Sequence, residues 1–350
     1  MTNADPPVPA PAAPGGPRPV APEDGFAVLD EGAVLAARSP FPTVRLVAAE
    51  LPALSWARQG EGRRLLAFLL GRAAGFPTIP LAYAAEAGLS GMARELARQL
   101  NHLGVNAFLP ASGPVPLAAL SATVVERRLP LGLYLTAADA GAAGLLVLDS
   151  DGGCLDELAV PSVGSGDVPD AFEREAVCGE IDMLGAYAHN LVGLLDPSPE
   201  RAGPGLAALA CPFPGLLELV RAQGGRAAIF TADRPGGLRA ELSGDGQRLR
   251  VAGAGTTPTG ATLATALVRY LVGERGAGGR VLGPELLPAL PDVAQEAVAD
   301  AGWLRLAHRV GRCDLLLAWG HDGWLAHQGQ GPFGDGLLSL AYLLEAGFRP

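Results

Sequence analysis

Residues Leu131–Glu157 read LGLYLTAADAGAAGLLVLDSDGGCLDE, and the rest of the chain arranges itself around them. Leu131–Leu135 is a continuous apolar run of strand length. Thr136–Gly144 is a loop of small residues, Leu145–Leu148 is a second apolar strand, and Asp149–Gly153 is an acidic, glycine-containing turn. Small residues between two buried strands let the backbone approach a ligand closely, which is how α/β proteins present a reactive group. This loop contains no Ser, Cys, His or Lys, and its single ionisable side chain is Asp139. The frame of a catalytic loop is present without its chemistry.

Composition bounds the rest. A chain of 350 residues, 49% hydrophobic and 18% charged, suits two or three cored domains. Gly, Pro or a charge breaks every apolar run before it reaches membrane-spanning length. The net charge is −10, and all 26 basic residues are arginine. An acidic surface disfavours nucleic acid and anionic membrane as partners, and a chain without lysine forms no Schiff base. The four cysteines (Cys154, Cys178, Cys211, Cys313) are scattered without a C-x-x-C, so neither a disulfide framework nor a zinc site is indicated. His321 and His327 are the one close histidine pair, at a spacing that fits no helical metal site. No signal-peptide pattern opens the chain, and a cytoplasmic location is expected.

Residues 1–24 are rich in Pro and Ala and are expected to stay disordered. Beyond them, strands and helices alternate. Leu65–Ala74 has helical spacing and Ile79–Ala84 is a short strand. Ser90 is placed to cap a helix from Gly91 to Leu103, whose Met92, Leu96, Leu100 and Leu103 share one face. Val105–Leu109 is the next strand, and a helix starts at Pro114–Leu117. Asp170–Met183 reads as an amphipathic helix, followed by a helix within Ile181–Leu195. Next come strand Leu206–Cys211, helix Pro214–Ala222 and strand Arg226–Phe230, and then a hairpin, Gly237–Leu242 with Arg248–Ala252. The last third reads as helix Thr259–Leu271, strand Arg280–Leu282, helix Val293–Ala301, strand Leu315–Ala318 and a long apolar helix opened by Gly334-Asp335-Gly336.

The central stretch resembles the α-D-phosphohexomutases, the phosphoglucomutases and phosphomannomutases. That family carries a strand, then Thr-Ala-Ser-His-Asn-Pro with a phosphorylated serine, then Asn-Gly and an acidic turn. Thr136, Ala137, Ala138 and Asp139 fall on this motif, with Ala138 at the serine. Ala82-Tyr83-Ala84-Ala85-Glu86 stands where the family has Gly-x-Asp-x-Arg. The hairpin turn Ser243-Gly244-Asp245-Gly246-Gln247-Arg248 falls on Asp-Gly-Asp-x-Asp-Arg, whose three carboxylates hold Mg²⁺ in the family. Trp319–Trp324 falls on the sugar-reading Gly-Glu-x-Ser-Gly-His, with Gly320 in place of the Glu and Asp322 in place of the Ser.

The resemblance implies an α/β fold of three successive phosphohexomutase-like domains, with mixed sheets flanked by helices: residues 25–182, 183–256 and 257–350 after the 1–24 tail. The family's fourth domain, which grips the substrate phosphate, is expected to be missing after Pro350. Mg²⁺ needs hard, charged oxygen donors. Each unit charge at about 4 Å contributes on the order of 4 kcal/mol gross at an effective dielectric of about 20. That equals the whole affinity of a site with a Kd of about 1 mM. With Ser243 and Gln247 neutral and only Asp245 left, no metal and no other cofactor is expected. No catalytic residue is retained, and Asp322, Gly323 and Arg248 are weak candidates for ligand contacts. The chain therefore reads as a non-catalytic phosphohexomutase homologue, a regulatory or binding protein of carbohydrate metabolism whose partner is another protein or a hexose phosphate. The alternatives are an active sugar-phosphate mutase with an atypical site, using Asp139 as its nucleophile, and an unrelated α/β enzyme.

Overall fold

The computed structural model describes residues 43–52, 65, 78–137, 142–155, 179–196, 205–224, 229–230, 237–253, 256–288, 290, 293–298, 314–328 and 333–349. The 1–24 tail, most of Leu65–Ala74 and Ala138–Gly141 lie outside the described residues. Three sheets carry the architecture. The first contains β1 (Val44–Val47), β2 (Thr78–Tyr83), β3 (Asn106–Pro110), β4 (Leu131–Ala137), β5 (Ala142–Asp149) and β6 (Gly179–Ile181), in the order β1-β5-β4-β2-β3-β6. The second has β7 (Leu206–Ala210), β8 (Leu238–Leu242) and β9 (Leu249–Ala252). The third has β10 (Arg280–Gly283), β11 (Ala294–Ala297), β12 (Leu315–Trp319) and β13 (Leu325–His327), in the order β11-β10-β12-β13.

One topological unit recurs. In the first sheet β3-β2-β4 are parallel and β5 returns antiparallel to β4. In the third, β11-β10-β12 are parallel and β13 returns antiparallel to β12. The second sheet repeats the last three positions, with β7 parallel to β8 and β9 antiparallel. Each unit thus ends in a hairpin, and the three loops singled out from the sequence are the three hairpin turns.

Apolar runs explain why β4, β5 and β12 are central: the whole of β4 through Thr136 and the whole of β12 are buried. The β4–β5 ladder pairs Leu133 with Val147, Leu135 with Leu145 and Thr136 with Gly144. Strand β5 begins at Ala142, so the loop is shorter than the Thr136–Gly144 expected. Helix α1 (Leu89–His102) and helix α2 (Leu117–Glu126) cross over between the parallel strands of the first sheet. Helix α3 (Leu184–Leu194) leads out of the first sheet, α4 (Leu216–Ala222) follows β7, α5 (Gly260–Gly273) precedes β10, and α6 (Gly336–Glu345) follows β13. Every residue of α6 is buried, because it packs against α5 and against strands of the second and third sheets. Among the described residues no helix is long and apolar enough to cross a membrane.

Three local expectations are corrected. Helix α1 starts at Leu89 with Gly88 as its cap at φ 86°, and no side chain caps it, so Ser90 lies inside the first turn. Ala294–Ala297 is not helical but forms β11, because β10 offers it a parallel ladder from Arg280↔Ala294 to Gly283↔Ala297. Tertiary pairing overrides the helical propensity of VAQEAVADA. Gly179–Ile181, expected in a helix, forms β6 beside β3 for the same reason.

The core under α6 holds one charge-sensitive group. Ser339 Oγ donates to the Asp335 carbonyl at 2.7 Å, so His327 Nε2, 2.7 Å away, must donate to Ser339. His327 Nδ1 is then bare, buried and without a hydrogen-bond partner. Burial pushes the imidazole pKa down to about 3 from 6.5. The folded protein therefore keeps His327 neutral while the unfolded chain protonates it below pH about 6.5, so stability is lost as pH falls. From pH 7 to pH 5 the stability advantage over His327→Gln is expected to shrink by about 2 kcal/mol. Urea unfolding of both proteins at the two pH values checks it, and an unchanged difference refutes the neutral assignment.

Candidate functional site

The β8–β9 turn decides what the candidate site can do. Asp245 is 1% exposed. Its Oδ1 accepts the Ser243 hydroxyl at 2.5 Å and the Gln247 backbone N–H at 3.1 Å. Its Oδ2 accepts Gln247 Nε2 at 2.8 Å and lies 3.5 Å from Arg248 Nη1. A carboxylate has about four lone-pair sites; three are taken by these hydrogen bonds, and the Arg248 guanidinium stands beside Oδ2 as an ion-pair partner. Ser243 and Gln247, also fully buried, stand at the positions where the motif would place two more carboxylates. Both instead hydrogen-bond to Asp245 as donors.

The amide of Gln247 has only one workable orientation. Its Nε2 donates to Asp245, and its Oε1 accepts the Trp324 indole N–H at 3.0 Å. Flipping it would set two donors face to face and two acceptors face to face. Trp324 belongs to the β12–β13 turn, so the second and third hairpin turns touch. Arg248 Nε donates to Asp322 Oδ2 at 2.7 Å, and Asp322 Oδ1 accepts the Trp324 backbone N–H at 3.3 Å. Asp322 is thus turned down onto Arg248, although its side chain is still 48% exposed. Gly323 is required between them: its φ is 82°, and an added Cβ would collide with the Leu249 carbonyl oxygen.

Ala138 and Asp139 lie outside the described residues, and Thr136 and Ala137 end β4. Next to them the β2–α1 turn reaches the site, where Ala85 N donates to Gly244 O at 2.7 Å. Glu86 packs against Gly244, 3.0 Å from where a Cβ would stand. Sequence reasoning passed over Glu86, yet the signal was there: an acid at the position where the motif has arginine. Tyr134 records the local field. Burial, then Asp245 and Glu86, push its phenol well above the ordinary range, and its hydroxyl donates to Val115 O at 2.9 Å. Tyr187, on α3, donates to Asp335 Oδ1 at 2.7 Å, the same oxygen that caps α6 by accepting Leu338 N.

These residues do not fit Mg²⁺. One carboxylate is present where a compact cation needs several charged oxygens, and hydrogen-bond donors point at that carboxylate from the space a cation would take. Among the described residues no group of three or more His, Cys, Asp or Glu side chains is placed to hold a metal. Nor do the described residues form a phosphate cradle here: the Arg248 guanidinium is paired with Asp245 and Asp322, and Glu86 lies against Gly244. Millimolar Mg²⁺ is expected to leave the Tm unchanged. Ser243→Asp with Gln247→Asp is expected to lower the Tm without metal, through carboxylate repulsion, and to make it rise with Mg²⁺. A Mg²⁺-dependent rise in the unmodified protein would overturn this account.

Three units, each with parallel strands ending in an antiparallel hairpin, and with the second and third of those hairpin turns in contact, have the fold of the α-D-phosphohexomutases. Solved structures bear this out at low sequence identity. A Thermus thermophilus protein assigned as a phosphomannomutase is 20% identical, with a TM-score of 0.66 over 88% of this chain and 80% of its own. The Paramecium phosphoglucomutase pp63/parafusin is 10% identical, with a TM-score of 0.64 over 88% of this chain and 70% of its own. A phosphoglucomutase/phosphomannomutase family protein from Burkholderia thailandensis is 14% identical, with a TM-score of 0.60 over 87% of this chain and 75% of its own. No family model and no curated protein matches the sequence.

Proposed function

We propose that this chain is a non-catalytic phosphohexomutase homologue that acts in the cytoplasm by binding another protein, as a regulator or scaffold in carbohydrate metabolism. One observation carries the reading. The residues standing at the motif's ligand-binding positions are bonded to one another: Asp245 to Ser243 and Gln247, Gln247 to Trp324, and Asp322 to Arg248. The group that would read a metal, Asp245, faces protein donors, and the group that would read a sugar hydroxyl, Asp322, is ion-paired with Arg248. A hexose phosphate would also have to bring a negative charge beside Glu86, Asp245 and Asp322 with one arginine among them, which like-charge repulsion opposes.

Leu286, 59% exposed, is the one exposed large hydrophobic side chain among the described residues, so a partner would meet a mainly polar surface there rather than a broad apolar patch. The test is a thermal-shift and calorimetric series with glucose 1-phosphate, glucose 6-phosphate and mannose 6-phosphate, each with and without Mg²⁺. No shift and no heat are expected. Saturable binding of any of them would replace the protein-partner reading with that of a sugar-phosphate sensor.

A further inference from the structure

We infer that Leu286 and the groove beside α5 form a self-complementary surface through which two copies of this chain pair about a two-fold axis. Leu286 is 59% exposed, the one large hydrophobic side chain among the described residues to stand so far out. The loop that carries it is pinned. The side-chain amide of Gln295, on β11, accepts Leu287 N at 2.8 Å and donates to Leu287 O at 3.3 Å, and the Leu287 side chain is buried. With its neighbour fixed at both backbone groups and by its side chain, Leu286 is held outward as a preformed knob, so little freedom is lost when it docks.

The hole begins two residues further on. Pro288 forms one wall of a groove of about 520 Å³, whose other walls are Ala261 and Ala266 on α5 and Ala346 and Phe348 past the end of α6. Alanines on the α5 face give it depth, and it is larger than a leucine side chain. A groove alone does not name its occupant, but a knob beside the hole does. Leu286 of one copy can enter the groove of a second while the second copy's Leu286 enters the first, which is what an isologous contact that closes at two requires. Arg269 and Glu274 also line the groove, so a two-fold can set each against its opposite. Both already have interactions of their own, so they help set register rather than strength. Against pairing stands the net charge of −10 on each copy, which makes the contact weak at low salt and tighter as salt screens the repulsion. The contact does not depend on the protein partner proposed above.

Sedimentation equilibrium on the full chain, from about 1 to about 300 μM at about 0.1 and about 0.5 M NaCl, tests this. A monomer–dimer equilibrium that tightens with salt is expected. Leu286→Ser is expected to weaken it on the order of 100-fold, since two leucines per dimer return to water. Ala266→Trp, which fills the groove, is expected to be monomeric on its own. A mixture of the two variants is expected to form a heterodimer tighter than either homodimer, because one knob then meets one open groove. A chain that stays monomeric throughout overturns the proposal. So does a dimer that Leu286→Ser leaves unchanged, and so do species larger than a dimer, which a head-to-tail contact would build. If Ala266→Trp does not fold, Leu286→Ser, at an exposed position, still decides. Because no sugar phosphate is involved, this outcome is independent of the binding series above.

Discussion

Purified protein supplied with glucose 1-phosphate, Mg²⁺ and a glucose bisphosphate activator is expected to form no glucose 6-phosphate, and Ala138→Ser is expected to leave it at zero. Ala138 has no oxygen to carry a phosphoryl group, and restoring one would still leave the transfer unsupported. Phosphoryl transfer depends almost wholly on positioning and on cations or arginines that spread the developing charge. Here Asp245 faces Ser243 and Gln247 rather than a cation, Glu86 puts a negative charge beside Gly244, and Gly320 offers no carboxylate to a sugar hydroxyl. Groups of this kind act as a unit, so repairing one alone returns little. A coupled-enzyme assay following glucose 6-phosphate checks the prediction. Turnover by the unmodified protein that vanishes in Asp139→Ala would refute it and identify Asp139 as a nucleophile forming an acyl phosphate.

Asp245→Leu is expected to be among the most destabilising single changes in the chain, by about 3–5 kcal/mol. Leucine removes the acceptor of the Ser243 hydroxyl and the Gln247 amide and the ion-pair partner of the Arg248 guanidinium, all buried or nearly so. What remains is a set of unmatched donors, one of them charged. Asp245→Asn is the informative partner: it keeps one carbonyl acceptor but turns an NH₂ toward the Ser243 hydroxyl or the Gln247 NH₂, for about 1–3 kcal/mol. Urea midpoints at neutral pH give both values. If Asp245→Leu stayed within about 1 kcal/mol of the parent, the turn would be a simple surface hairpin rather than a buried hub.

Much of the fold was legible because strand runs and turn chemistry are local. LGLYLTA and LLLAW announce buried strands, and S-G-D-G-Q-R announces a hairpin turn while keeping the order of a known loop. The strand β11 was not legible, since VAQEAVADA carries helical spacing and its fate is set by pairing with β10, earlier in the chain. The site was half legible. The sequence exposes what is missing at Ser243, Gln247 and Gly320, but not what replaced it. Gln247 and Trp324 are 77 positions apart, and Tyr187 and Asp335 are 148 apart. Each pair makes chemical sense only once the sheets are assembled. Glu86 was readable as a reversed charge, although its closeness to Gly244 was not.

The single workable orientation of Gln247 also bears on how such a chain can change. Replacing Gln247 by Asp alone would set two carboxylates side by side in a buried turn, with Ser243 still unable to help hold a cation. Replacing Ser243 by Asp alone would do the same from the other side while Gln247 stayed committed to Trp324. Each single step toward a metal loop passes through a protein less stable than either end point, and the lost stability is shared with the contacts that join the three units. The wiring therefore works as a barrier between two arrangements. The intermediates are the same in both directions, so exchange between this turn and a metal loop needs the changes at 243 and 247 together, and folding alone holds a chain in whichever arrangement it has.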